Sequence, residues 1–328
     1  MPLIARSSYP GPPFLQRGGH LQSMIPGVFR RVKGVDYQRE RLETADGDFL
    51  DLDWLRNPEP SRRLMIVTHG LESNSRASYC LGTAKLFREN GWDALAWNCR
   101  SCSGEMNRKF RMYHHGDTED ISAVVNHALS QGQYEAIVLV GFSMGGNITL
   151  KYVGTGGEDL PPQVRAAVAF SAPCDIRAGA DVLDRWDNWI YKARFLSYLK
   201  KKIRHKALQF PGKLDVSKLK LVRRWYDFDE YFSAPICGFA SADEFHRQAS
   251  AKHFVAGIRI PTLLVSALND PILTPECFPV DIAREHPFLH LELSSGGGHC
   301  GFQAKGGGTF SWAERRALEF VGEVLKGG

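Results

Sequence analysis

One stretch of this sequence limits the possible fold more than any other, the segment AIVLVGFSMGGNITL at positions 136–150. It begins as an apolar run of strand character, continues as a Gly-x-Ser-x-Gly pattern and ends in helix-forming residues. A serine at the tip of a tight strand-to-helix turn has a strained backbone, so the residues two positions away must be small. Gly141 and Gly145 meet that requirement on either side of Ser143. The pattern predicts a nucleophile elbow, with Ser143 as the candidate nucleophile.

Apolar segments of strand character alternate with helical patterns along much of the chain. Besides the strand of the elbow, the predicted buried strands are 64–68, 93–98, 166–171, 262–266 and 289–293. The main helical patterns of this alternation lie at 77–90, 117–130 and 312–325. Regular alternation of this kind is typical of a mostly parallel sheet with helices on both faces. The sequence therefore predicts an α/β fold.

The alternation is interrupted once, and the interruption suggests how the chain is divided. Residues 176–260 show helical and loop patterns but no convincing strand, and this segment is far longer than a single crossover helix requires. We predict that it is an inserted helical cap on a core formed by 35–175 and 261–328. Residues 1–34 are rich in Pro and Gly without a clear period, which favours an irregular N-terminal arm wrapped on the domain.

Two polar residues follow predicted strands in the second part of the core. Asp270 comes after the strand at 262–266, and His299 lies in a glycine-rich loop after the strand at 289–293. The carboxyl ends of parallel strands share one edge of a sheet, so these side chains can converge on Ser143. The chain order Ser, Asp, His is that of the α/β-hydrolase triad. We therefore predict an α/β-hydrolase fold.

The predicted triad assigns a role to each residue. His299 accepts the proton of Ser143, while Asp270 fixes the imidazole tautomer and stabilises the imidazolium. Two backbone N–H groups are needed for the oxyanion hole, and we assign them to Met144, just after the nucleophile, and Leu71, after the first buried strand. These roles predict hydrolysis of carboxylic esters through an acyl-enzyme.

Other polar residues allow alternative interpretations. Asp175 also follows a predicted strand and is a competing candidate for the acid. His114 and His115 are adjacent and precede a helix, which favours a supporting or surface role. His69 flanks the oxyanion loop, and we expect it to orient backbone groups rather than move protons.

The number and positions of the cysteines argue against a protein held together by disulfide bonds. The chain has seven, an odd number of scattered residues, which favours reduced thiols in a cytoplasmic protein. Cys99 and Cys102 resemble half of a zinc site, but no second pair lies at a suitable spacing, so we expect no metal. The predicted triad reaction also uses no organic cofactor. The N-terminus lacks the pattern of a secretory signal, and no apolar run approaches the roughly 18 residues of a membrane span.

The motifs together resemble a family of α/β-hydrolases that comprises bacterial YheT-type esterases and related eukaryotic medium-chain lipid esterases and acyltransferases. The resemblance is carried by 19–23, 68–72, 98–107, 113–120, 141–147, 171–173, 269–271 and 297–302. It implies ester hydrolysis with Ser143, Asp270 and His299 as triad, and a preference for medium-chain acyl esters. The chain departs from the family pattern at Ser73, where a glycine is expected.

The substrate expected from this resemblance is a small-molecule ester or a lipid. The same triad also serves lipase activity, thioester hydrolysis or acyl transfer, so these reactions remain alternatives. An alternative of a different class is a non-catalytic ligand-binding protein on a hydrolase scaffold. We favour the enzyme, because all three triad residues are present.

The positive charge of the chain is concentrated in the predicted cap. Residues 192–225 contain twelve Lys or Arg residues and one acid, a local net charge of +11, which leaves −6 for the rest of a chain whose total is +5. Tyr191, Phe195, Leu199 and Ile203 recur at the spacing of an amphipathic helix. Such a segment can contact an anionic membrane or form a solvated face over the active site. We expect no nucleic-acid partner, because interleaved aromatic residues are sparse.

Overall fold

The computed structural model describes residues 3–327. These residues form a sheet of nine strands. The strands are β1 (Leu3–Ile4), β2 (Gln38–Glu43), β3 (Phe49–Leu55), β4 (Arg63–Thr68), β5 (Asp93–Asn98), β6 (Ala136–Phe142), β7 (Val164–Phe170), β8 (Thr262–Ala267) and β9 (Leu289–Ser294). Their order across the sheet is β1-β9-β8-β7-β6-β4-β5-β3-β2. The β2–β3 and β3–β5 pairs are antiparallel and all other neighbours are parallel. The prediction of a mostly parallel sheet is confirmed.

Helices cover both faces of this sheet. The α-helices of the described residues, including those that do not lie on the sheet, are α1 (Gly19–Phe29), α2 (Ser78–Glu89), α3 (Thr118–Ser130), α4 (Met144–Gly156), α5 (Ile176–Leu183), α6 (Trp189–Gln209), α7 (Trp225–Phe228), α8 (Ala234–Ile236), α9 (Ala242–Ala249), α10 (Val280–Glu285) and α11 (Trp312–Gly327). Apolar residues of α3, α4 and α10 pack on one face, and those of α2 and α11 pack on the other. No helix among residues 3–327 has the length and apolar character needed to cross a membrane.

The strand β4 explains why the predicted strands are continuous apolar runs. Leu64 and Ile66 belong to the apolar core on one face, whereas Met65 and Val67 belong to the core on the other. Successive side chains of a strand point to opposite faces, so a strand covered by helices on both sides needs an apolar residue at every position. This layered arrangement confirms the predicted α/β-hydrolase fold and leaves the carboxyl ends of the strands free to carry a site.

The N-terminal segment differs from the predicted irregular arm, because it contains β1 and the helix α1. Sequence patterns missed α1 because no side chain caps its start and Pro26 lies inside it. Its stabilising contacts come from distant residues. Gln22 Oε1 accepts a hydrogen bond from the Gly297 N–H (2.5 Å), and Ser23 Oγ accepts one from the His299 N–H (2.7 Å). The arm is thus partly helical and is bonded to the loop that carries His299.

Between β7 and β8 the described chain forms α5 to α9, short 3-10 turns and a π-helical turn at Asp229–Ser233, with no strand. The apolar stripe of α6, which includes Leu196, Leu199 and Ile203, packs against α7 and its continuation in a separate apolar cluster. We propose residues 176–260 as a cap with its own small core. The proposed arm is 1–34 and the proposed core is 35–175 and 261–328, whose outermost residues 1, 2 and 328 lie outside the described residues.

Candidate active site

Ser143 lies at the turn between β6 and α4 in a conformation that ordinary residues avoid, with φ of 54° and ψ of −121°. The two flanking glycines are required by close backbone contacts. A Cβ atom on Gly141 would lie 2.3 Å from the carbonyl oxygen of Gly145, and one on Gly145 would lie 2.3 Å from that of Thr68. The elbow geometry therefore holds the Ser143 side chain at the carboxyl edge of the sheet.

The structure brings Ser143, His299 and Asp270 together. His299 Nε2 lies 2.8 Å from Ser143 Oγ, and His299 Nδ1 lies 2.9 Å from Asp270 Oδ2. The Asp270 side chain is fully buried, and its Oδ1 accepts hydrogen bonds from the backbone N–H groups of Ile272 and Leu273 at 2.8 and 3.3 Å. With the carboxylate as acceptor, Nδ1 carries the proton and Nε2 is free to accept from the serine hydroxyl.

Two opposing effects determine the pKa of His299. Burial disfavours the charged imidazolium and acts to lower the pKa, whereas the neighbouring Asp270 carboxylate favours it. The carboxylate prevails, so the pKa of His299 is raised well above its ordinary value. The neutral imidazole, which is the form that accepts a proton, is therefore populated on the alkaline side.

The loop that carries His299 is held in place by α1, the helix that sequence patterns missed. Gly298 has a φ of 58°, and a Cβ atom there would lie 2.6 Å from the carbonyl oxygen of Gly19. The Gly298 N–H also donates to Asn269 Oδ1 at 3.1 Å. The motif at 19–23 was visible in the sequence, but its role in positioning this loop depends on contacts across the whole chain.

The two predicted oxyanion donors, Leu71 and Met144, lie on backbone segments that flank Ser143. Met144 is the first residue of α4, where N–H groups have no partner within the helix. The Leu71 N–H has no acceptor within residues 3–327. The preceding residue, Gly70, passes so close that a Cβ atom there would lie 3.2 Å from Ser143 Cβ. Both N–H groups are therefore free to bind an oxyanion formed at the serine.

His69 supports the oxyanion loop through its backbone. Its Nε2 accepts a hydrogen bond from the Cys99 N–H at 3.1 Å, so Nδ1 carries the proton and donates to the Gly70 carbonyl at 2.7 Å. Burial lowers the pKa of His69 to about 4 and keeps the ring neutral. The side chain thus orients the loop, in line with the interpretation from the sequence.

A buried ion pair on the other side of the oxyanion loop was missed by sequence reasoning. Glu72 has a φ of 50°, and its carboxylate accepts hydrogen bonds from the Tyr113 hydroxyl and from Lys202 Nζ, the latter at 2.9 Å. Lys202 also lies 3.3 Å from the thiol sulfur of Cys102. Since Lys202 belongs to α6, this pair joins the proposed cap to the loop that carries Leu71. No local signal relates two residues so far apart in the sequence.

The other candidates make no hydrogen bond to Ser143, His299 or Asp270 in the described part of the chain. Asp175 caps α5 by accepting from the Ala178 N–H at 3.1 Å and forms an ion pair with Lys252, so its carboxylate serves the cap. Burial lowers the pKa of His114 to about 3 and that of His115 to about 4, which keeps both rings neutral. Within the described part of the chain, no three His, Cys, Asp or Glu side chains are grouped so that they could hold a metal ion.

Cavities lie on two sides of Ser143. An open groove of about 420 Å³ runs between α1 and α6, and its walls include Val28, Ile190, Arg194 and Tyr198. On the other side lies a small apolar cavity of about 40 Å³, whose walls include Pro173, Ile176, Ala180, Leu183, Phe195 and Trp225. A second cavity of about 40 Å³ lies deeper between core and cap and shares the walls formed by Leu71, His115 and Trp225.

The structure separates two aromatic residues of the proposed cap from two others. Phe195 and Trp225 line the small apolar cavity beside Ser143, and Trp225 is buried. Trp186 and Trp189 are exposed. The first pair therefore belongs to the surroundings of the nucleophile and the second pair to the protein surface.

The parallel sheet, the strained serine turn and the His and Asp side chains at strand ends define an α/β-hydrolase. The chain belongs to the hydrolase family described as "Serine aminopeptidase, S33", whose model matches residues 59–279. The protein is therefore an enzyme of the α/β-hydrolase class, as the resemblance implied.

Comparison with individual proteins agrees with this assignment. The chain is 35% identical over 316 residues to "Putative esterase YheT" of Escherichia coli (strain K12), which covers 94% of this chain and 91% of that protein. It is 29% identical over 312 residues to "Phospholipase ABHD3" of Mus musculus, covering 92% and 74% of the two chains. The solved structure of the Pyrococcus furiosus esterase Pf2001 matches with a TM-score of 0.58 at 17% identity, covering 89% and 92%, and supports the fold alone.

Proposed function

We propose that the protein is a serine carboxylesterase that hydrolyses carboxylic esters with short- to medium-chain acyl groups. The observation that carries this proposal is the 2.8 Å distance between His299 Nε2 and Ser143 Oγ, with Asp270 2.9 Å from the other ring nitrogen. These distances are within the range needed for proton transfer between nucleophile and base. The names of the relatives, an esterase and a phospholipase, support the same class of reaction.

In the acylation step, Ser143 Oγ attacks the ester carbonyl carbon while His299 takes the hydroxyl proton. The negative charge moves to the carbonyl oxygen, where the N–H groups of Leu71 and Met144 stabilise it. When the tetrahedral intermediate collapses, the ester C–O bond breaks and His299 gives its proton to the leaving alcohol. Asp270 stays ionised and stabilises the imidazolium throughout.

Deacylation repeats the sequence with water as nucleophile. His299 takes a proton from the water as its oxygen attacks the acyl-serine carbonyl, and the same two N–H groups bind the oxyanion. Collapse of the intermediate breaks the bond to Ser143 Oγ, which regains its proton from His299. The products are the carboxylic acid and the free enzyme.

The shape of the cavities supports the proposed substrate. The small apolar cavity next to Ser143, lined in part by Ile176, Leu183 and Trp225, suits the acyl chain, and the deeper cavity offers room to extend it. Their small volumes favour short to medium chains over long ones. The wide groove between α1 and α6 suits the alcohol part, where size and polarity are less restricted.

A chain-length series of p-nitrophenyl esters, from acetate to palmitate, tests the proposal. We expect the highest kcat/KM for short to medium chains, and a loss of about 10⁶ in kcat in Ser143→Ala, because the nucleophile is removed. Ser197→Ala, which changes an exposed serine of α6, is the matched control and should behave as wild type. Hydrolysis by Ser143→Ala at a rate near that of wild type would contradict the proposal.

A further inference from the structure

The outer surface of α6 has a pattern that the proposed reaction does not explain. Its apolar stripe, which includes Leu196, Leu199 and Ile203, faces the interior of the cap. The residues on the opposite side mix apolar and cationic groups at helical spacing. We call this set the outer stripe, and its members are Ile190, Arg194, Tyr198, Lys201, His205 and Leu208. A helix rises about 1.5 Å per residue, so the stripe is about 27 Å long.

Large apolar side chains on the outer stripe are exposed to water. Leu208 is 80% exposed, Tyr198 47% and Ile190 41%. Across the groove, Val28 and Phe29 of α1 are exposed as well. Val28, Ile190 and Tyr198 also line the groove that leads to Ser143. Three of the exposed apolar groups therefore lie at the groove that leads to the candidate active site, and Leu208 extends the apolar surface further along α6, where a partner surface can cover them.

Five basic residues of α6 fall into two groups. Lys202 and Lys206 point inward, where Lys202 pairs with Glu72 and Lys206 Nζ donates to backbone carbonyls, including that of Asn107 at 2.8 Å. Arg194, Lys201 and Arg204 are exposed, and within residues 3–327 none of them pairs with an acidic side chain. The inward group stabilises the contact between cap and core. The outward group leaves positive charge on the exposed side of α6, with Arg194 at the groove itself.

Charge and polarity together identify the kind of partner. Residues 192–225 carry a net charge of +11 against −6 for the rest of the chain, so a negatively charged surface would attract this side of the molecule. Basic residues near an anionic bilayer strengthen binding, and tyrosine and apolar side chains partition into its interface. Single-stranded nucleic acid would also attract the cations and would find Tyr198 and Phe29 for stacking. Ile190, Leu208 and Val28 have no ring on which bases stack, so the apolar character of the surface as a whole favours a lipid partner.

We propose that the outer stripe of α6, together with Val28 and Phe29 of α1, docks the protein on an anionic lipid surface with the groove entrance facing the lipid. In this orientation a lipid ester can enter the groove and reach Ser143 without crossing bulk water. The use of docking in catalysis rests on the proposed esterase function. The docking itself depends only on the surface.

Co-sedimentation with vesicles tests this proposal, with Ser143→Ala as the parent so that lipids stay intact. We expect the parent to bind phosphatidylcholine vesicles that contain phosphatidylglycerol, to bind pure phosphatidylcholine vesicles weakly, and to be released by salt. Lys201→Gln/Arg204→Gln in the same parent should weaken partitioning at least about tenfold, since two cations near the surface are lost. Leu208→Ser should weaken it further by removing an inserted apolar group.

The matched control is Arg165→Gln/Arg259→Gln, which removes two exposed cations near the amino ends of β7 and β8, away from the groove. It should bind as the parent does. Absence of binding to the anionic vesicles at low salt, or an equal loss in both double variants, would overturn the proposal. Binding to a labelled single-stranded oligonucleotide without binding to vesicles would overturn it too, and would assign the surface to nucleic acid.

Failure of docking and failure of the esterase proposal can be told apart. Hydrolysis of a soluble p-nitrophenyl ester by the wild-type protein reports on the triad and requires no lipid surface. Vesicle binding by Ser143→Ala reports on the surface and requires no nucleophile. A protein that hydrolyses the soluble ester but ignores vesicles therefore refutes the docking proposal alone.

Discussion

Lys202, on helix α6 of the proposed cap, places its ammonium group 2.9 Å from the carboxylate of Glu72 in the oxyanion loop. Both side chains are largely buried, and the Tyr113 hydroxyl completes the shell of the carboxylate. Glu72 directly follows Leu71, whose N–H is the proposed oxyanion donor. The ion pair thus joins helix α6 of the proposed cap to the loop that carries the proposed oxyanion donor, and we expect it to fix the position of that donor.

Replacement of Lys202 by Met should disturb both stability and catalysis. The Glu72 carboxylate would stay buried without its cation, which costs about 3 kcal/mol of unfolding free energy. We also expect kcat to fall by about 10- to 100-fold with little change in KM, because a misplaced donor affects the transition state rather than substrate binding. Urea unfolding and steady-state kinetics on a p-nitrophenyl ester measure the two effects.

Two further variants separate positioning from a general loss of stability. Glu72→Gln in the Lys202→Met background removes the uncompensated charge and should recover part of the stability, so the double-mutant cycle reports the coupling of the pair. Lys201→Met, at the exposed neighbouring position, should leave kcat as in wild type. An unchanged kcat in Lys202→Met would contradict the coupling between cap and oxyanion loop.

The pH dependence of kcat/KM should reflect the raised pKa of His299. The protonated imidazolium cannot accept the Ser143 proton, so activity is lost as the pH falls through this pKa. Because Asp270 raises the pKa well above its ordinary value, the acid limb should lie at a clearly higher pH than the value of about 6.5 typical of histidine. A pH–rate profile with the soluble ester measures the position of the acid limb. A limb at or below the ordinary pKa of histidine would be inconsistent with the effect of Asp270 on His299.

Asp270→Asn tests the origin of that limb. The amide removes the negative charge, so the residual activity, reduced by about 10⁴, should show its acid limb at lower pH than wild type. Arg165→Gln changes a charge near the amino end of β7 and should leave the limb in place.

Much of this fold could be predicted because the relevant signals are local. The run at 64–68 is apolar at every position because β4 is covered on both faces, and the serine turn needs glycine at 141 and 145 for contacts within a few ångströms. Ser143, Asp270 and His299 each follow a predicted strand, and their order along the chain then indicated a catalytic triad. Each inference depended on periodicity or spacing that is visible in the chain.

The features that were missed depend on contacts between distant segments. Helix α1 has no capping side chain and contains Pro26, and it is stabilised by bonds from Gln22 and Ser23 to the loop around His299. The Lys202–Glu72 pair joins residues separated by 130 positions. Helical spacing identified the apolar face of α6, but it did not indicate which lysines point inward.

The close backbone contacts of the serine elbow predict how a substitution at Gly145 changes the free energy of unfolding. Gly145→Ala would bring Cβ to 2.3 Å from the carbonyl oxygen of Thr68, so backbone must move, and we expect a loss of more than about 3 kcal/mol of unfolding free energy. Gly322→Ala is the matched control, since a Cβ atom there, in helix α11, has no neighbour within 4 Å. It should stabilise the protein by about 0.5–1 kcal/mol. Equal unfolding midpoints for the two variants would contradict the steric account.

The most direct test of the proposed catalytic role is covalent labelling with a fluorophosphonate probe, which requires an activated serine next to a working base and oxyanion hole. Intact-mass measurement and peptide mapping of the wild-type protein should reveal one adduct, located on Ser143. Folded Ser143→Ala should stay unlabelled, and His299→Ala should be labelled far more slowly. Labelling of Ser143→Ala at the wild-type rate, or a folded wild-type protein that takes up no label, would contradict the assignment of Ser143 as the nucleophile.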